Sequence, residues 1–358
     1  APGSYSLTTI GGTAIVIGGN NFGDGSVTPT VRYMNDAGTM FRASSCSVTT
    51  AHLRISCISS SGAGKHLEWF VNVDGTSSQG YKIPVPVDVG SSFQKSSIYQ
   101  LFVDGYGEGL SGYLLLGKGG QLIRIVGQNF GPNGTFVNVE YGANNGSGTI
   151  YTAHGCAVVI DHSVIECKSV SGIGKNLNVR VAVAGLSGSW SSSGALLSYQ
   201  APVITKLAGA GVEFPSSTTG NTPVEIQGRN FGPAYTAPCN IMTPGPNILT
   251  VKYGDIYKAR CCKIVSNEKM QCLTNEGVGK DHAWVVTLAD QTSSLFMDAS
   301  TTYAQPVIRD YEKVTVATDE LNTLGGQEIF IVGRNLGPYR GSNGMQNFNR
   351  ISYGQGDG

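Results

Sequence analysis

Charge is scarce in this chain. Only 13% of its 358 residues are Asp, Glu, Lys or Arg, and 24 cations balance 24 anions. With no basic cluster above background, this excludes the cationic surface on which nucleic-acid binding depends. Long apolar runs are missing too. No stretch approaches the roughly 20 apolar residues of a membrane-spanning helix. None sustains a 3.6-residue apolar period either, so helix should be rare. Chemistry-bearing motifs are equally thin. The five histidines (His52, His66, His154, His162, His282) form neither H-x-H nor H-E-x-x-H spacings. No serine sits in a G-x-S-x-G elbow, and no D-x-D-x-D run offers a calcium loop. The reading is a non-enzyme with no catalytic residue, metal ligand set or cofactor. The start, Ala1-Pro2-Gly3, has neither an initiator Met nor an apolar signal core and reads as processed or artificially delimited.

What the chain does have is repetition. An alternating apolar strand followed by Gly-x-Asn-Phe-Gly recurs with its Asn at Asn21, Asn129, Asn230 and Asn335, the last copy carrying Leu336 in place of Phe. The spacings are 108, 101 and 105 residues, each the length of a small β-sandwich domain. Residues six and four places before each Asn are apolar: Ile15 and Ile17, Ile123 and Ile125, Val224 and Ile226, Ile329 and Ile331. The residue between them varies (Val16, Arg124, Glu225, Phe330), the period-two signature of a strand with one buried face. The flanking glycines end the strand in a turn, and the aromatic between them is expected to plug the end of the core.

The first three copies continue in one order: a short strand ending in Tyr33, Tyr141 or Tyr253, two cysteines around a strand–turn–strand, then Gly-x-Gly-Lys. The last phrase stands at Gly62–Lys65, Gly172–Lys175 and Gly277–Lys280. It lacks the longer Gly-x₄-Gly-Lys-Ser/Thr spacing and the following helix of a phosphate loop, so a β-turn is expected. The order as a whole resembles the IPT/TIG domain, the immunoglobulin-like module of plexin-type receptors and other extracellular proteins. The resemblance implies an all-β chain of tandem immunoglobulin-like sandwiches, three near-complete and one partial. The expected bounds are 1–86 for the first repeat, 87–97 for a linker, 98–200 and 201–304 for the next two, and 305–358 for the partial fourth. The family also holds DNA-binding proteins and modules of carbohydrate-active enzymes, so fold does not fix function.

Eight cysteines permit 105 pairings, and the repeat narrows them. Cys46 and Cys57, and Cys156 and Cys167, stand eleven apart at equivalent places. In the third copy, Cys261 matches that spacing to Cys272, whereas Cys262 matches the side-chain phase, sharing a face with Ile264 as Cys46 does with Val48. The reading takes Cys262–Cys272 and leaves Cys261 for Cys239. Isolated Cys pairs at this spacing fit zinc poorly. Disulfides imply an oxidising, extracellular setting. Two sequons, Asn133-Gly134-Thr135 and Asn145-Gly146-Ser147, fit covalent glycans. Trp69 and Trp284 are expected in the core and Trp190, in a Ser-rich loop, at the surface. His52 and His162 are expected on exposed turns between paired cysteines.

The fourth copy runs from Pro306 to Gly354 and stops before a Cys pair. The expectation is either a longer array or completion by another subunit through strand addition. The functional reading is an extracellular structural protein whose serial domains build a filament or stalk, self-associating into a fibre. The alternative is a receptor or adhesion ectodomain that binds a protein or carbohydrate ligand.

Overall fold

A computed structural model of the chain describes residues 6–82, 91–104, 114–143, 146, 148–236, 239, 248–313, 323–326 and 329–338. The sequon residue Asn145, the Gly105–Gly109 run and the segment after Pro338 lie outside these residues. The described chain is almost all β, built as serial immunoglobulin-like sandwiches. Two compact units, Ala1–Tyr199 and Gln200–Gly358, hold them.

The first unit contains two sandwiches. In the second of these, one sheet runs Ser97–Val103, Leu122–Gln128, Val164–Lys168, His154–Ile160. The facing sheet runs Leu114–Leu115, Leu196–Tyr199, Leu177–Val183, Val137–Gly142, Ile150–Thr152. Its outermost pair is parallel, Leu115 opposite Tyr199, and the other pairings are antiparallel. Alternation does the sorting. In Leu122–Gln128, Ile123 and Ile125 are fully buried, while Arg124 faces outward and pairs with Glu166 across the strands at 2.5 Å. The first sandwich has the sheets Ala14–Gly18, Arg54–Ile58, Ser44–Thr50 and Met40–Arg42, Thr30–Met34, Glu68–Val73, Thr76–Ser77. Its closing parallel pair is Ser6–Leu7 with Ser92–Phe93. Phe93, placed in a linker by the sequence reading, is therefore a core residue of the first sandwich beside Leu7, Tyr33 and Trp69. A two-residue strand carries no period from which it could be recognised.

The second unit repeats the plan. Val203–Ala208, Pro223–Arg229, Lys269–Leu273, Arg260–Ser266 and Tyr235–Thr236 form one sheet. Tyr257–Lys258, Leu249–Tyr253, His282–Leu288 and Gln291–Thr292 form the other, with Phe296–Thr301 beside His282–Leu288. Among the described residues, α-helix is confined to one turn, Ala210–Glu213. Beyond this sandwich, Val307–Lys313 pairs with Ile329–Arg334 as an antiparallel hairpin.

Aromatics set the centre of each core. Tyr33 stacks on Trp69 and Tyr253 on Trp284, both with ring centroids 4.5 Å apart. The second sandwich has Val179 where the others have Trp, and Tyr151 packs against Tyr141 and Tyr199. The Tyr141 and Tyr199 hydroxyls meet at 3.0 Å, and Tyr253 and Tyr303 at 2.7 Å. Burial pushes all four hydroxyls above the ordinary tyrosine range, so the pairs stay neutral. The Gly-x-Gly-Lys phrase wraps over these rings. A side chain on Gly172 or Gly277 would enter the ring of Tyr199 or Tyr303. The carbonyls of Gly64, Gly174 and Gly279 accept the backbone N–H of Phe93, Tyr199 and Tyr303. The next residue after the Lys is left-handed in each copy, and its identity (His66, Asn176, Asp281) follows from that backbone.

The sulfurs join Cys46 to Cys57, Cys156 to Cys167, Cys262 to Cys272 and Cys239 to Cys261. Cys46–Cys57, Cys156–Cys167 and Cys262–Cys272 each link neighbouring strands of one sheet, unlike the inter-sheet bridge of antibody domains. Ser45, Gly155 and Cys261 each occupy the left-handed bulge position just before the bridging cysteine, so Cys261 is the counterpart of Ser45, and Cys262 of Cys46. The spacing shortens from eleven to ten because the hairpin turn shortens. Thr50 pairs with Arg54, but Ser266 pairs with Lys269. Replacing Cys156 and Cys167 together by Ala should lower stability by about 3 kcal/mol, from the loss of loop closure in the unfolded chain. Urea unfolding of the two proteins in parallel measures this.

Candidate functional site

Among the described residues no three His, Cys, Asp or Glu side chains come together as a metal site. The histidines are dispersed. His52 and His154 are exposed, His66 bonds Asp36 at 2.5 Å, and His282 packs its ring against Tyr253, Tyr257 and Tyr303. Trp190 is half-buried rather than open. The Arg180 guanidinium lies 4.6 Å from its ring centroid, and Arg180 is itself bonded to Glu140 at 2.5 Å. Cation–π contact of this kind occupies one face of the indole. Asn133 is exposed, and its backbone N–H is held by Asp161 at 2.8 Å.

The residues that do converge belong to the repeated Asn-Phe-Gly phrase. Each motif Asn takes a left-handed backbone, φ 63° at Asn21, Asn129 and Asn230 and 58° at Asn335. Asn tolerates that region better than branched residues do. The turn sends its side-chain amide back toward the segment that precedes the repeat. Asn129 Nδ2 donates to the Lys95 carbonyl at 3.2 Å and to Gln94 Oε1 at 3.4 Å. Asn230 Nδ2 donates to the Ala201 carbonyl and to Gln200 Oε1, both at 3.2 Å. Asn335 Nδ2 donates to the Gln305 carbonyl at 2.9 Å. The segment so held continues as the first strand of the repeat and pairs antiparallel with the motif's own strand. Its register is fixed by one bulge, at the same place each time: Ile98/Gln100, Ile204/Lys206, Ile308/Asp310.

Two further contacts complete the clamp. Gly127, Gly228 and Gly333, two places before the Asn, stand directly against the carbonyls of Ser97, Val203 and Val307. A side chain at any of the three would strike that oxygen. Phe130 and Phe231 are fully buried, and their backbone N–H bonds to the turn between the cysteine-bearing strands, at the His162 and Asn267 carbonyls. Within the first unit, this turn also meets the preceding sandwich. His162 Nδ1 lies 3.1 Å from Thr9 Oγ1 and Nε2 lies 3.3 Å from Ser61 Oγ, while Thr9 Oγ1 also donates to Asn129 Oδ1 at 3.4 Å. Ala63, from the Gly-x-Gly loop of the first sandwich, packs into the second core. His162 is thus a junction residue rather than an exposed turn residue. Its partners lie more than a hundred positions away, and no local pattern signals them.

Similarity to known proteins adds only general shape. No family model matches the chain, and no curated protein matches it. Among solved structures, a bacterial integrin-binding invasin is similar over 86% of this chain and 60% of its own, at 12% identity and TM-score 0.22. Domains 4–9 of the surface layer protein SbsC are similar over 81% and 41%, at 13% identity and TM-score 0.18. SGBP-B of a xyloglucan utilization locus in Bacteroides uniformis is similar over 59% and 49%, at 13% identity and TM-score 0.21. The chain thus spans about half to three-fifths of the first structures it resembles. At these scores the likenesses carry no argument about function.

Replacing Asn230 by Ala should cost about 1–3 kcal/mol, from the lost hydrogen bonds of its buried amide and the left-handed backbone that Ala must keep. Chemical denaturation followed by tryptophan fluorescence reads that loss. A second outcome concerns pH. Burial holds the His162 imidazole below its ordinary 6.5, against a weaker opposing pull from Asp161. The unfolded ring therefore binds a proton before the folded one does. Stability from this junction is full above pH 6.5 and falls as the pH drops through the depressed folded value. Melting temperature should fall more between pH 7.5 and 5.5 in the parent chain than in His162→Asn, which keeps the turn but cannot titrate.

Proposed function

We propose that this chain is an extracellular, non-enzymatic structural protein whose serial IPT/TIG-like domains build a filament or stalk, self-associating into a fibre and carrying glycans at Asn133 and Asn145. The observation that carries the reading is the clamp. In three copies the segment that enters the repeat has a carbonyl captured by the Asn at the far end of the strand that pairs with it. Such a connector suits a module that transmits load or holds spacing, whereas a free linker would suit independent binding domains. Four disulfides support an oxidising, extracellular or cell-surface setting. Low charge agrees with a scaffold.

Negative-stain electron microscopy of native material, with intact mass before and after glycosidase treatment, tests the reading. Uniform fibres with an axial repeat of several domains, and a mass drop on deglycosylation, are expected. Discrete short rods of a single chain would overturn the fibre and leave a ligand-binding ectodomain in its place.

A further inference from the structure

One of the disulfides has no counterpart in the other copies. Cys46–Cys57, Cys156–Cys167 and Cys262–Cys272 recur at one place in each sandwich. These staples are set inward: Cys57, Cys167, Cys262 and Cys272 are 1%, 0%, 5% and 3% exposed, and Cys46 and Cys156 pack against their cores. Cys239–Cys261 is the addition. Cys261 takes the left-handed bulge position, φ 49°, where the first two sandwiches have Ser45 and Gly155. Those two reach the same plan without a sulfur at that place, so the extra bridge is not what closes the third.

Its surroundings differ as well. Cys239 is exposed and Cys261 half-buried, and each of the other cysteines is buried or half-buried. Tyr235 and Thr236 pair with Ile264 and Lys263 along the outer edge of Arg260–Ser266. Cys239, three residues on, fastens the same segment to that strand at Cys261. The bridge therefore lies at the border of its sheet, outside the core. Arg260 and Lys263 stand within two residues of Cys261, and nearby cations favour a thiolate over a thiol. Exchange is fastest where the attacked sulfur is accessible and the departing one is a stable thiolate. Both conditions select attack at Cys239, with Cys261 leaving.

We propose that Cys239 is a thiol–disulfide exchange site, at which a low-molecular-weight thiol is joined covalently to the chain while the sandwich stays folded. The external thiolate forms a new S–S bond to Cys239 Sγ. The Cys239–Cys261 bond breaks, and its electron pair leaves on Cys261 Sγ, which becomes a thiol by taking up the proton that the external thiol gave up. One thiol is consumed and one is released, so the exchange needs no oxidant or reductant. The buried Cys262–Cys272 staple keeps its two strands joined throughout. The inference goes beyond the filament reading and does not depend on it.

Reduced glutathione, added without denaturant to the full 358-residue chain in its oxidised form, tests this. Acid quenching, alkylation and peptide mapping then locate each sulfur's state. Glutathione on Cys239, with alkylated Cys261, should accumulate at least about tenfold faster than any change at the other cysteines. Amide protection in Lys269–Leu273 and His282–Leu288 should persist at full modification. A chain carrying Cys239→Ser and Cys261→Ser should keep the same protection and take up glutathione at least about tenfold more slowly. Overturning results are an adduct chiefly on Cys261, opening of any of the three staples at a comparable rate, or no adduct until denaturant is present. Loss of protection as Cys239 is modified, or in the Ser-substituted chain, would equally overturn it, because the bridge would then be part of what holds the sandwich.

Discussion

One hydrogen bond organises the chain: a side-chain amide, held in a left-handed turn, donates to the carbonyl of the segment entering the repeat. The buried amides of Asn129 and Asn230 need acceptors, and the carbonyls of the incoming linker supply them. Asn suits the place because it accepts the turn's positive φ and carries a donor on a short stem. The residue after it is then directed into the core as Phe130 or Phe231. Three consecutive residues thus turn the chain, seal the core and fix the linker, and the phrase recurs as a block because none of these roles works alone.

The same backbone constraint explains residues that suggest chemistry at first sight. His52, His66 and His162 all sit at positive φ, as do Asn176 and Asp281. Short or ring-polar side chains gather at such positions because branched apolar ones are excluded from them. The histidines of this chain are therefore largely a consequence of turn geometry, and His162 acquires a second role only because its turn lies against Thr9 and Ser61. A left-handed turn placed at a domain junction gives a titratable contact without any dedicated motif.

Much of this was legible in the sequence, for a definite reason. Strand alternation projects directly onto burial, so Ile123 and Ile125, or Val224 and Ile226, announce their inward faces. Phase likewise distinguishes Cys262 from Cys261, because the side-chain direction of a strand survives a change in turn length that defeats residue counting. What could not be read was contact across elements. Phe93 closes the first core from a two-residue strand, too short to show a period. Trp190 is covered by Arg180 from another strand, a pairing that depends on register rather than on the composition of its own loop. The amide role of the Asn was equally hidden, since its acceptor lies about thirty residues back.

The repeated copies also act as one another's controls. The linker strand is present beside Asn129 and Asn230 and absent beside Asn21 among the described residues, yet all three share φ 63°. The copies also share the bond to the neighbouring hairpin turn, where the His52 carbonyl accepts from Phe22 as the His162 carbonyl does from Phe130. In the copies at Asn129 and Asn230 the glycine leaves room for one linker carbonyl, and the side-chain amide donates to the carbonyl two residues earlier. A single short phrase is thus reused along the array, and each connector supplies an extended backbone with Ile and, three residues on, Leu or Tyr.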